Sequence, residues 1–482
     1  MNRPPNILFL CTDQHRHDYV GYRGAEWLHT PHIDSLARQG TVFTHCFTNS
    51  PVCGPARCAL ATGRQPHRIG CLDNGSFLPL SVPTFYQRLR DYGYWTGYCG
   101  KLDLAKSPMP GQRILRPDGR QPEDCAFGFC DPLNSGVGMT TVDGENSPYG
   151  IYLNKHGLLD VFNDDRKARM PVPGIVAVNN FGSVDVRSAD MPEGWFERCC
   201  ANSPLPAEYH PDAYNASRAI EWIQRADASG PWFLQVNFFG PHDPFDPPRE
   251  YGERYARAEV PDAIPPELDD KPGYVGRKFI CGDPEKIRYS RRQYSGAITN
   301  LDDQVGRILA CLEDRGMREN TIIVFTSDHG EMLGDFGLYC KQKPYEASVR
   351  VPLVLCGPGV PDGKTVNELV EWIDLNPTLC ELGGAPVLPD TDARSLLPCL
   401  RGESACHRES ILSAISGGTH MRCVRDRRWK FVENHNTIDE LYDLENDPEE
   451  RRNLADDPAH AKTVKEMRQA LKNRWSEGLW HH

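Results

Sequence analysis

Four short apolar runs, each ending abruptly in polar residues, constrain the fold of this chain more than any other feature. "NILFLCTDQ" runs into Asp13 and Gln14, and "YWTGYCGK" into Lys101. "WFLQVNFFGPHDP" runs towards His242, and "TIIVFTSDHG" into Asp328 and His329. Runs of this length without alternation are expected of parallel strands covered on both faces. Helical patterns fall between them. "HIDSLARQG" puts Ile33, Leu36 and Ala37 on one stripe, with Gly40 as its stop. "AYNASRAIEWIQRA" follows a Pro-Asp start. "AITNLDDQVGRILACLEDRG" places Leu301, Val305, Ile308, Leu309 and Leu312 on one face and stops at Gly316. This alternation predicts an α/β fold: a large mixed, mostly parallel sheet sandwiched by helices. Ligands of such sheets bind beyond the carboxyl ends of the strands. The polar clusters are therefore expected to converge on one rim.

Two stretches read differently. Residues from about 104 to 205 are rich in Pro, Gly, Asp and Asn with weak periodicity, and read as a long excursion over the site. A second Pro-rich, charged stretch runs from about 241 to 290. After about residue 375 the pattern changes again. "MRCVRDRRWKFVE" reads as a hairpin with an Asp-Arg-Arg turn, "DELYDLENDPEERRNLA" follows, and "AKTVKEMRQALKNRW" reads as a terminal amphipathic helix. The expected organisation is a large domain over 1–375 and a smaller α+β domain over 376–482 with an antiparallel sheet.

At 482 residues the chain is long for one domain. Its net charge of -12 argues against nucleic acid as the main partner. No segment has the apolar length needed to span a bilayer. The N-terminal apolar run is too short for the core of a signal peptide. The sequence thus reads as cytoplasmic, with no membrane partner and a substrate met inside the cell. Persistent disulfides are not expected there among the 18 cysteines. No C-x-x-C pair signals structural zinc, so most thiols read as small core residues. Oligomeric state is unreadable.

The rim residues suggest chemistry. Asp13 and the Asp328-His329 pair suit a divalent cation, with Gln14 adding a neutral oxygen. A single aspartate after a strand is ordinarily a helix cap; here the pattern repeats on two strands. Hard oxygen donors favour Ca2+ or Mg2+, and the histidine leaves Mn2+ open. In "SPVCGPARCALATGR", Pro55 suits a first helical position and Gly63 a helix end. Cys53 would then sit at a helix N-terminus, where backbone dipoles favour negative charge, with Arg57 one turn later on the same side. Cys53 read alone is either a small buried residue or a nucleophile. A phosphotyrosine-phosphatase loop is excluded, because only three residues separate it from Arg57.

"CGPARCALATGR" resembles the C-x-P-x-R signature of the type I sulfatases of the alkaline phosphatase superfamily, with its Thr-Gly-Arg tail. The resemblance extends through "NILFLCTDQHRHDYVGYRG", "HTPHIDSLARQGTVFTHCFTNSPVC", "GYCGK" and "FFGPHDPFDPP". It continues in "IIVFTSDHGEMLGDFGLYCK", "VRVPLVLCGPG" and "DELYDLENDPEERRNLA". In that family the cysteine is oxidised by a dedicated maturase to formylglycine, whose hydrate supplies the nucleophilic oxygen. The resemblance implies Asp13, Gln14, Asp328 and His329 as the metal set, with Cys53 as fifth ligand after conversion. It implies Arg57 as the arginine that steadies the hydrate, and Lys101 as the lysine of the G-K-x-H motif. His242 would stand near the leaving-group oxygen, Lys341 would bind the sulfate oxygens, and Asn74 would be a further polar sulfate contact. His15, Arg16 and His17 are expected at a helix start or supporting the ligands.

The implied reaction is hydrolysis of a sulfate monoester, of a carbohydrate or small molecule, through a covalent sulfo-enzyme. Two departures stand out. Gln14 replaces the second metal aspartate of many relatives, and Asp103 replaces the histidine of G-K-x-H. Asp103 would then be the base of the second half-reaction, or another histidine fills the gap. A phosphonate monoester or phosphodiester hydrolase on the same scaffold is the alternative; a non-catalytic binding protein is the reading from another class.

Overall fold

The computed structural model describes residues 3–105, 124–133, 147–169, 199–227, 230–265, 270–272, 283–403, 406–415, 420–435 and 437–475. Its centre is a nine-stranded sheet. In chain order the strands are β1 (Asn6–Thr12), β2 (Gly40–Phe47), β3 (Trp95–Gly100), β4 (Asp131–Leu133) and β5 (Trp232–Asn237). β6 (Thr321–Ser327), β7 (Arg350–Val351), β8 (Leu353–Cys356) and β9 (Lys364–Glu371) complete it. The order is β4-β3-β5-β1-β6-β8-β2-β7, with β9 paired to β2. The four apolar runs are β3, β5, β1 and β6, adjacent and mutually parallel. β7 and β8 run against their neighbours, so the sheet is mixed as expected.

Both faces of this sheet are covered, which explains the unalternating runs. On one face Ile7, Phe9 and Cys11 pack in a core with Ala56 and Leu60, Phe85 and Leu89, and Leu375 and Leu379. These come from helices Cys53–Thr62, Phe85–Asp91 and Leu375–Leu382. On the other face Leu8 and Leu10 meet Ile33 and Leu36, Trp222 and Ile223, and Leu301, Val305 and Ile308. Those belong to helices Pro31–Arg38, Pro211–Arg225 and Pro284–Asp314. Truncating any of these fully buried leucines to alanine costs about 2–5 kcal/mol.

A separate four-stranded antiparallel sheet runs β10 (Ile411–Ile415), β11 (Met421–Arg425), β12 (Trp429–Asn434) and β13 (Glu440–Asp443). The turn between β11 and β12 is Asp426-Arg427-Arg428, as the sequence suggests, and Asp426 accepts the N–H groups of Arg428 and Trp429. One face of this sheet packs through Leu412, Val424, Phe431 and Leu441 on Val464, Met467 and Leu471 of the terminal helix Ala461–Arg474. The other face packs through Ile415, Met421, Cys423 and Val432 on Val52, the residue that precedes Cys53. Helix Leu375–Leu382 and helix Leu397–Arg401 share the core of the large sheet.

Several local expectations are corrected. Helix Pro31–Arg38 ends at Gln39, and Gly40 opens β2 instead of stopping the helix; a Cβ there would lie 2.1 Å from the Leu355 carbonyl oxygen on β8. Helix Cys53–Thr62 begins at Cys53 itself with Val52 as cap, so Pro55 is its third residue. Gly63 closes it with φ 67, as expected. The long helix starts at Pro284, well before "AITN", because Asp283 accepts the N–H groups of Glu285 and Lys286. The 241–290 stretch also holds helix Arg249–Arg254. Within the 104–205 excursion, β4 adds an edge to the main sheet, and helices Asp124–Phe127, Pro148–Lys155 and Leu159–Arg169 form. Residues 106–123, 134–146 and 170–198 of that excursion lie outside the described residues. His15 and Arg16 lie in irregular chain and His17 opens a turn, so none of the three stands at a helix start. Every described cysteine is a free thiol and most are buried. No helix among the described residues is long and apolar enough to cross a membrane.

Candidate active site

The register of the central strands assembles the site. Gly100 pairs with Asn237, Cys11 with Asn237, and Thr12 with Ser327. β3, β5, β1 and β6 therefore end level with one another, and the residues after each end share one rim. These are Lys101, His242, Asp13 with Gln14, and Asp328 with His329. Gly100 makes the close fit possible: its φ is 91, and a Cβ there would sit 2.0 Å from the Asn237 carbonyl oxygen. The loop after β2 brings Cys53 to the same rim.

Cys53 is fully buried at the first position of its helix. Its Sγ lies 3.1 Å from His329 Nε2, 3.2 Å from Lys341 Nζ and 3.6 Å from Asp13 Oδ1. The candidate ligand atoms of Asp13, Cys53, Asp328 and His329 all lie within 4.8 Å of one another, and all four residues are buried. Burial and Asp13 push the Cys53 thiol up, but Lys101, Lys341 and His329 outweigh them and hold it well below its ordinary value. Burial likewise opposes the charge of Asp13, yet Lys101, His242, Lys341 and Arg57 keep its carboxyl well below the usual carboxylate range. Burial and the neighbouring Asp13 push Asp328 the other way, above that range. Two buried carboxylates competing in this manner, with an imidazole and a thiol beside them, are a group that could hold a divalent cation.

Arg57, only 1% exposed, ties the cluster together. It donates from Nε to Asp328 Oδ2 at 2.9 Å and from Nη2 to Asp13 Oδ2 at 3.4 Å. Its Nη1 donates to the Lys101 carbonyl at 2.8 Å and to Asn237 Oδ1 at 3.0 Å. Asn237 is held in turn by Gln235, which accepts from Tyr86. Lys101 Nζ donates to Asp13 Oδ2 at 2.6 Å and lies 3.4 Å from Asp103 Oδ2. Lys341 Nζ meets Gln14 Oε1 at 2.8 Å and His242 Nε2 at 2.7 Å. The loop that carries Lys341 is anchored from the small sheet: the buried Lys430 donates to the Pro344 carbonyl and pairs with Glu346 and Glu450. Asn74 accepts the Gly54 N–H at 3.0 Å, one residue from Cys53.

All the site residues expected from the sequence thus gather within one constellation. The sequence reading missed Asp243, Glu331 and Asn237. Asp243 Oδ1 and Glu331 Oε2 both accept from Gln14 Nε2. Burial pushes the Glu331 carboxyl up to about 7, against the pull of the Leu333 N–H. Both acids stood inside quoted motifs, one beside His242 and the other two residues after His329. Backbone strain also concentrates here: Gln14, Asp103, Cys340 and Gln342 adopt φ of 69, 60, 65 and 74. Non-glycine residues in that region cost of order 1–3 kcal/mol each and cluster at functional sites.

Comparison with known proteins agrees with this geometry. Choline-sulfatase of Rhizobium meliloti (strain 1021) is 29% identical over 482 residues, covering 94% of this chain and 83% of that protein. Arylsulfatase of Clostridium perfringens (strain 13 / Type A) is 27% identical, covering 97% and 93%. The crystal structure of a phosphonate monoester hydrolase of Agrobacterium radiobacter superposes with a TM-score of 0.78 at 25% identity, covering 98% of this chain and 97% of the other. Residues 334–477 match the family described as N-sulphoglucosamine sulphohydrolase, C-terminal. Residues 5–385, which contain every candidate ligand and every cation of the constellation, match the Sulfatase family, and the chain belongs to that family of sulfuric ester hydrolases.

Proposed function

We propose that the protein hydrolyses a sulfate monoester of a carbohydrate or small molecule, using formylglycine made from Cys53 and one divalent cation. The observation that carries this is the setting of Cys53 Sγ, which has Lys341, His329 and Asp13 within 3.6 Å. Asp13, Gln14, Asp328, His329 and the oxygen at position 53 would hold Ca2+, with Mg2+ or Mn2+ as alternatives. The bound ion supplies charge that favours an ionised nucleophile and balances the sulfate oxygens. Formylglycine supplies that nucleophile as an oxygen. Arg57 fixes Asp13 and Asp328 and faces the nucleophile's charge. Lys101 and Lys341 bind the equatorial sulfate oxygens, a preorganised cationic cradle. His242 delivers a proton to the departing alcohol. Asp103, 3.4 Å from Lys101, takes up the proton released when sulfate leaves.

The test is peptide mass spectrometry combined with a sulfate-release assay on sulfated mono- and disaccharides and aryl sulfates. Protein from a host with the maturase should give a Cys53 peptide about 18 Da lighter than the thiol form. An unmodified thiol in active enzyme sinks the proposal. A phosphonate monoester or phosphodiester hydrolase is the second reading. It is favoured by the likeness to the Agrobacterium radiobacter enzyme. Parallel kinetics on 4-nitrophenyl sulfate, a phenylphosphonate monoester and a phosphodiester separate the two.

A further inference from the structure

We infer that Glu331 is a positioning residue that, with Asp243, fixes which end of the Gln14 amide faces the metal centre. An amide side chain has one accepting end and one donating end. At Gln14 the surroundings decide between them. Asp243 Oδ1 lies 3.2 Å from one end, and Glu331 Oε2 makes a short contact with the same atom. The Lys341 ammonium lies 2.8 Å from the other end. Two carboxyl oxygens on one side require the NH2 there; an ammonium on the other requires the oxygen there. Asp243 accepts whichever protonation state Glu331 adopts. Gln14 therefore presents oxygen towards Lys341 and the Asp13–Cys53–Asp328–His329 cluster.

Glu331 is itself held rigidly. It is fully buried, and its second oxygen accepts the backbone N–H groups of Leu333 at 2.9 Å and Cys340 at 2.6 Å. Cys340 directly precedes Lys341, so one carboxylate sets both the amide and the start of the lysine's backbone. The backbone of Gln14 sits in the left-handed region, with its N–H donating to Asp328 Oδ1 at 3.2 Å. A strained residue whose main chain and side chain are both tied to the site is placed there for its amide. Gln14 with Glu331 and Asp243 is a matched set: an aspartate at position 14 would face two further acids, and an amide resolves that repulsion. The metal-facing half of this inference rests on the reading proposed above. The orientation of the amide does not.

The experiment is an exchange of the two side chains. Glu331→Gln must keep an oxygen on the Leu333 and Cys340 N–H groups, so its NH2 turns towards the Gln14 NH2 and pushes that amide out of place against the hold of Asp243 and Lys341. Gln14→Glu sets three carboxylates together. Each single variant should melt about 1–3 °C lower in chelator. The double exchange gives the carboxylate introduced at position 14 an NH2 partner at position 331. It should regain about half of the Gln14→Glu loss, since Asp243 still faces an oxygen. Should Gln14→Glu fail to fold, folding of the exchange is itself the recovery. In parallel, Glu331→Gln should weaken Ca2+ or Mn2+ binding about tenfold. Losses that simply add in the exchange, or ion affinity in Glu331→Gln equal to that of a parent that binds the ion, overturn the inference. A parent that binds no divalent ion overturns the metal centre instead, and the melting cycle still decides the orientation.

Discussion

Lys341 Nζ lies 2.7 Å from His242 Nε2, and the same ammonium lies 3.2 Å from Cys53 Sγ. The other imidazole nitrogen, Nδ1, donates to the Asp243 carbonyl at 2.8 Å. Nε2 therefore faces the Lys341 ammonium. A proton bound for a leaving oxygen passes between these two groups. Replacing Lys341 by Met removes both the cation facing the nucleophile and the ammonium partner of His242. The expected loss in kcat/KM is about 100- to 1,000-fold for any sulfate ester. His242→Gln should behave differently. It should cost little with 4-nitrophenyl sulfate, whose leaving group needs no proton, and about 100-fold or more with an alkyl sulfate. A loss independent of the leaving group would remove His242 from proton delivery.

The two carboxylates of Asp13 and Asp328 lie buried against each other, with Arg57 bridging them. A divalent ion between them relieves that repulsion only in the folded state, so it stabilises the fold by mass action. At about 100-fold excess over its Kd the ion adds about 2.7 kcal/mol. Chelator-stripped protein should therefore melt higher after addition of Ca2+ or Mn2+. Asp328→Asn should lose this response and retain the fold, because Arg57 still has Asp13, the Lys101 carbonyl and Asn237 as partners. An equal rise in melting temperature in parent and variant would locate the ion elsewhere.

Asp103 stands where relatives of the G-K-x-H pattern carry histidine, with φ 60 and its carboxylate 3.4 Å from Lys101 Nζ. Asparagine tolerates the same left-handed backbone but cannot accept a proton. Asp103→Asn should leave the first step intact and slow the second. A stopped-flow trace should then show a burst of alcohol close to the enzyme concentration, followed by slow turnover. A uniform fall in both phases would show that Asp103 shapes the site instead of moving a proton.

What the sequence made readable, and what it did not, follows from where the information lies. β1, β3, β5 and β6 could be recognised because burial on both faces demands uninterrupted apolar residues, and the ligands could be recognised because such strands end at a common rim. β4 could not: three residues that include Pro132 carry no pattern, and proline is tolerated there because the strand lies at the sheet edge. The first half of helix Pro284–Asp314 was hidden by its charge. Arg291 is 2% exposed, and its burial is intelligible only once Asp335 is seen 2.6 Å away. The Gln14–Glu331–Asp243 set was unreadable for the same reason. Each residue sits in an identifiable motif, yet the need for an amide appears only when three segments meet.

Asp302 provides a pH test of the scaffold that is independent of catalysis. It lies on the long helix and accepts the backbone N–H groups of His32 at 3.1 Å and Ile33 at 2.8 Å, at the start of helix Pro31–Arg38. Burial pushes its carboxyl up to about 7, more than those two N–H groups pull it down, with Asp303 and Asp34 adding to the rise. A carboxyl raised above its unfolded value imposes no ionisation cost in acid, where both states are protonated. The cost grows as pH rises from about 4 to about 7 and is full above that, up to about 4 kcal/mol. Asp302→Asn removes the ionisation and keeps one accepting oxygen; the lost acceptor is a penalty that does not vary with pH. In denaturant titrations the variant should therefore gain on the parent between pH 5 and pH 8, whatever its offset at pH 5. A constant difference across that window would mean that Asp302 is ionised throughout, its charge carried by the helix start it caps.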